Sequence, residues 1–218
     1  MYELLIVTGF AVLAYRNLTI HEDEFANTSR RIGDRVGKLW DIAHLSMREN
    51  RFLRAEKALL TILKIDERNA AAYNRLGILY AKQKEYRDAI DCFEIASSIE
   101  ATPSSLHNLG LIYYETENYE KAAVAFEQAL KLEDKLAARH VAYAKVQEKL
   151  GNIKLMVQEL EKAAELEPNK ETFTLLIKAY EASGMAEDAD LIKDRLKKMI
   201  APASKPKRML RPARRVIV

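Results

Sequence analysis

Among its 218 residues the chain has one cysteine, one tryptophan, five prolines and seven glycines. A lone thiol, Cys92, excludes an internal disulfide framework and any zinc site built from cysteine pairs. A small apolar residue in a helix interface is the reading it supports. So few prolines and glycines leave long helices uninterrupted, as an almost all-helical chain requires. No glycine-rich phosphate loop and no His-x-x-x-His pair is present. The four histidines, His21, His44, His107 and His140, are dispersed, and acid pairs such as Glu115 and Glu117 read as solvated surface. The sequence therefore offers no catalytic residue, no cofactor site and no metal site, and enzymatic activity is not expected.

What is present is a folded composition, 49% hydrophobic and 31% charged. The formal net charge of +3 hides an asymmetry. Six basic residues fall in the last fourteen, from Lys205 to Arg215, with no acid among them. Without them, 29 basic residues face 32 acidic ones, so a mildly acidic body carries a basic tail.

Self-similarity fixes the organisation. Tyr73, Leu76, Gly77 and Tyr80, followed by Ala89 and Phe93, recur 33 residues later as Leu106, Leu109, Gly110 and Tyr113, then Ala122 and Phe126. This spacing resembles the tetratricopeptide repeat (TPR), a helix–turn–helix unit of about 34 residues. The glycines suit a close helix crossing, the tyrosines fill the gap one turn later, and the alanines let the second helix lie against the first. Phe93 and Phe126 are expected to fill the interface to the next unit.

Extending the register finds weaker copies. One places Leu39, Ile42, Ala43, Ala55, Leu59 and Ile62 before the central pair. Two follow it, with Tyr143, Ala144, Gly151, Leu160 and Ala163, then Phe173, Leu176, Ile177, Tyr180, Gly184 and Ala189. Units are predicted to start near residues 36, 70, 103, 137 and 170, giving an all-α TPR superhelical solenoid of about five hairpins over 36–203. In the fourth, His140 and Gln147 replace large apolar residues; in the fifth, Lys193 stands where Phe93 stands in the second.

Residues 1–20 read as a short apolar helix, with 4–15 apolar on every side. Twelve helical residues rise about 18 Å against a hydrocarbon core of about 30 Å. A membrane anchor is the favoured reading; a helix packed on the first repeat and a signal sequence are the alternatives, the last lacking a basic start. Arg16, Arg30, Arg31 and Arg35 follow the run and none precedes it, which predicts a cytoplasmic array. The arrangement is similar to membrane-anchored bacterial TPR proteins. Residues 21–35 form a polar connector and 204–218 a basic, proline-containing tail. That tail has three readings: a solvated end, a contact for anionic lipid, or a contact for nucleic acid.

The TPR resemblance implies binding on a concave face formed by the first helix of each unit. The register assigns Trp40, His44, Met47 and Arg48 to it from unit one. Asn74, Arg75, Ile78 and Lys82 come from unit two, and His107, Asn108, Leu111 and Tyr114 from unit three. Val141, Lys145 and Lys149 come from unit four. Aromatic anchors, amides and a cationic excess suit a peptide or protein partner with acidic and apolar residues. Trp40 is read equally well as buried between helices. The TPR subclass that clamps a terminal carboxylate uses Lys and Asn residues at places where, here, only Asn108 fits. The expected function is a scaffold or adaptor on the cytoplasmic face of a membrane. The alternatives are a soluble TPR protein whose tail binds RNA or a ribosomal surface, and a secreted or periplasmic assembly factor.

Overall fold

The structure, a computed structural model, describes residues 28 and 30–200. The expected apolar helix and the basic tail lie outside the described residues. Among the described residues every regular element is a helix: α1 (30–48), α2 (Phe52–Ile65), α3 (Ala70–Gln83), α4 (Tyr86–Ile99), α5 (Pro103–Glu115), α6 (Tyr119–Leu132), α7 (Ala137–Lys149), α8 (Ile153–Leu166), α9 (Lys170–Ala182) and α10 (Ala186–Ile200). They divide between Glu133 and Asp134 into two compact units, α1–α6 and α7–α10. None is long and apolar enough to cross a membrane.

Local signals explain the boundaries. Asn69 caps α3 through Ala72 N–H, Asn118 caps α6 through Lys121 N–H, and Asn169 caps α9 through Thr172 N–H. Thr102 and Ser105 form a reciprocal capping box at α5, with Pro103 in the first turn. First helices end alike: Asn50, Lys84, Glu117, Gly151 and Gly184 all have φ between 56° and 76°. The next N–H then bonds a carbonyl five residues back, as Glu85 to Tyr80 at 2.9 Å and Asn118 to Tyr113 at 2.8 Å. This is the left-handed Schellman stop, and it turns the chain into the second helix.

The first four hairpins each close on a small residue facing a large one. A Cβ placed on Gly77 would lie 2.7 Å from the Phe93 ring, and one on Gly110 would lie 2.9 Å from the Phe126 ring. The phenylalanines therefore cover the glycines of their own hairpins, where the sequence pointed them at the next unit. Where the register has Ala instead of Gly, it has Leu instead of Phe: Ala43 with Leu59, and Ala144 with Leu160, all buried. The volume given up on one helix is taken by the other. In the last hairpin Ile177 takes the glycine position. Lys193, in the phenylalanine position, reaches Glu181 at 2.9 Å and Asp190 at 3.0 Å.

In the first unit, Leu59, Ile62, Leu76 and Leu79 are at most 2% exposed, and Trp40, Tyr73 and Tyr80 pack around them. In the second, Val157, Leu160, Phe173, Leu176 and Ile192 form the core. That unit also buries a polar pair. His140 Nδ1 lies 2.6 Å from Glu159 Oε2, and both residues are under 5% exposed. His140 Nε2 lies 2.7 Å from the Asp134 carbonyl, so it is the donor there. Lys162 also reaches Glu159, at 2.9 Å. His140 occupies the position of Leu106, and Glu159 that of Ala125, so an apolar pair has been exchanged for a bonded one.

Candidate functional site: the first-helix face

Helices α3 and α5 are neighbours in the first unit. Across them Asn108 Nδ2 donates to Asn74 Oδ1 at 3.3 Å. Each amide spends one group on the other. The Asn74 NH2 and the Asn108 carbonyl keep donor and acceptor capacity side by side, the complement of a peptide group. Both residues are half-buried, as is Arg75, one residue after Asn74.

The other assigned residues divide. Trp40 stacks on His44, ring centroids 5.6 Å apart at 27°. The indole is half-buried against the core and the imidazole is exposed, so Trp40 serves packing while presenting one edge. Arg48 and Lys82 are exposed. His107 meets the Phe126 ring edge-on at 5.4 Å, and Tyr114 meets Tyr119 at 5.6 Å, so both rings are positioned by their own hairpins. Met47 is a correction: at 7% exposure it belongs to the core, one turn after Ala43 on the buried side of α1. Ile78 also packs against that core, while Leu111 is exposed. Lys145 and Lys149 are exposed on α7 and belong to the second unit. There Lys145 lines a small pocket with Glu148, Met156, Leu175 and Lys178.

A set of contacts that the sequence reading missed joins the hairpins. Tyr80 donates to Glu56 at 2.8 Å, Tyr180 donates to Glu161 at 2.6 Å, and Tyr113 donates to Glu94. Each phenol reaches from a first helix to the preceding second helix. Burial raises the pKa of all three, and the neighbouring carboxylate raises it further. A signal was available: Glu stands nineteen residues before Tyr113 and again before Tyr180. Burial also pushes the Cys92 thiol up to about 11, with Asp88 and Asp91 adding to the effect. Such a thiol is a poor nucleophile at neutral pH. Among the described residues no three His, Cys, Asp or Glu side chains are grouped to hold a metal.

Residues 70–100, 103–136 and 137–170 each match the tetratricopeptide repeat. The chain carries TPR units. Its fold is all-α, built of TPR hairpins. Solved structures of TPR type share it. The one described as the crystal structure of MamA protein matches with a TM-score of 0.68 at 20% identity, over 80% of this chain and all of that one. MamA 41-end from Desulfovibrio magneticus RS-1 matches at 0.67 and 14% identity, over 76% of this chain and 95% of that one. YrrB, described as a TPR protein with an unusual peptide-binding site, matches at 0.62 and 20% identity, over 77% and 84%. At these identities the likeness is one of TPR fold. No protein of curated function matches the sequence.

Proposed function

We propose that this chain is a non-enzymatic scaffold that holds a peptide or protein partner on the first-helix face of its TPR units, tethered through residues 4–15 to the cytoplasmic face of a membrane. The observation that carries the binding reading is the Asn74–Asn108 bridge, which sets an amide donor and an amide acceptor together between α3 and α5. Arg75 beside it supplies charge for an acidic partner residue, and His44 with Trp40 an aromatic edge. The peptide-binding site attributed to YrrB, a protein of the same fold, supports the class of partner.

The test begins with the partner recovered from gently solubilised membranes by the full chain. Changing Arg75 and Asn108 together to Ala is expected to weaken its binding by roughly tenfold to a hundredfold, the loss of one charge-assisted and one neutral hydrogen bond. Removing residues after Ala201 is expected to leave that binding unchanged. Retention by the double variant with loss on truncation would transfer function to the tail, and generic RNA binding would then be the reading.

A further inference from the structure

Every second helix has an outer face, but that of α2 differs in kind. Leu53, Lys57, Leu60 and Lys64 recur at intervals of four, three and four residues, which sets them in one stripe. Leu53 is 65% and Leu60 42% exposed, and Arg54 and Ile65 flank them, Ile65 exposed too. No described residue forms an ion pair with Arg54, Lys57 or Lys64. The helix has one acid, Glu56, at the edge of the stripe one turn before Leu60; it is half-buried and accepts from Tyr80. Thr61 turns its hydroxyl back to the Lys57 carbonyl at 2.6 Å. A shallow hollow of Arg51, Phe52, Leu53, Arg54 and Lys57 continues the same mixture at the start of the helix.

The charge of the chain is divided the same way. From residue 30 to 65, nine Lys and Arg face four Asp and Glu; from 66 to 200, nineteen face twenty-four. The first hairpin is thus the cationic part of an otherwise acidic array. Cations alternating with exposed leucines complement a surface with negative headgroups over an apolar layer. The first hairpin is also the part nearest in sequence to residues 4–15. The fourteen residues between that run and α1 reach at most about 50 Å.

We propose that the outer stripe of α2 docks on an anionic lipid surface, with Leu53 and Leu60 entering the headgroup layer and Arg54, Lys57 and Lys64 meeting phosphate and carboxylate groups. The inference rests on the membrane-tethered reading and deepens it: the first hairpin would lie on the bilayer, leaving the first-helix face for the partner.

The experiment uses the full chain with Cys92→Ala and Leu60→Cys, the new thiol carrying an environment-sensitive fluorophore. Vesicles are phosphatidylcholine alone or with about 30% phosphatidylserine. The expected result is a blue shift with anionic vesicles and none with neutral ones. Lys57→Gln with Lys64→Gln should raise the lipid concentration at half-shift about thirtyfold. Leu53→Gln should weaken the shift without altering charge, so that a folding defect in one variant does not decide the matter. A shift on neutral vesicles that ignores the lysine changes would overturn the proposal. So would sedimentation with anionic vesicles without any shift, or a shift produced only by an acidic peptide. Release of the shifted chain from anionic vesicles by high salt, with no attachment to neutral ones, supports the docking and defeats the anchor at 4–15.

Discussion

Gly110 and Gly37 show how one residue type takes opposite values in a single fold. A Cβ on Gly110 would stand 2.9 Å from a Phe126 ring that is fully buried, whereas one on Gly37 in α1 meets nothing within 4 Å. Gly110→Leu is therefore expected to destabilise by about 1–3 kcal/mol through overpacking. Gly37→Ala should stabilise by about 0.5–1 kcal/mol through helix propensity. Adding Phe126→Leu to Gly110→Ala recreates the combination found at Ala43 with Leu59 and at Ala144 with Leu160. It should recover most of the loss caused by Gly110→Ala alone. Urea melts of the four variants measure this, and a double variant no better than the single would mean that the pairing is accidental. The glycines, tyrosines and alanines were legible in sequence because a period of 33 or 34 repeats them. The destination of Phe93 and Phe126 was not, since periodicity gives a residue's place in the unit and not the neighbour its ring meets. His140 with Glu159 escaped for a related reason. Two polar replacements in one unit each look like a defect until the fold sets them 2.6 Å apart.

Between elements, the tyrosine–carboxylate bonds tie α2 to α3, α4 to α5 and α8 to α9. Only the protonated phenol can donate to the carboxylate, and ionisation would set two anions together in a partly buried place. The raised pKa values of Tyr80, Tyr113 and Tyr180 give the sign. An acid that titrates higher in the fold than in the unfolded chain contributes its stability fully below the unfolded value. That contribution is lost as pH rises past it. Here the ordinary value is 10.0 and the folded value lies well above it, so the melting temperature should fall progressively as pH rises from about 10 upward. Tyr113→Phe combined with Tyr180→Phe should flatten that slope while lowering stability at neutral pH. An unchanged slope would assign alkaline loss to other groups. At the equivalent place in α7 the chain has Gln147, whose amide carbonyl accepts from Asn152 at 2.7 Å within its own hairpin. The fourth hairpin therefore uses that position for its turn.

Across the molecule, the fold class was legible almost entirely, because stacking repeats of one length is the way such short hairpins share a core. The arrangement of the candidate residues was legible in part. Asn74 and Asn108 were assigned to one face, and the structure bonds them. Met47 was misassigned because a register exact to one residue still spans a full 100° of helix per step, and the face it predicts borders the core. In the proposed function, the first-helix face of the first unit receives the partner. A photoreactive amino acid at Arg75 tests it directly, compared with one at Val124, which is 54% exposed on the second helix of the following hairpin. A covalent adduct with the partner is expected from position 75 and none from position 124. An adduct from 124 with none from 75 would contradict it.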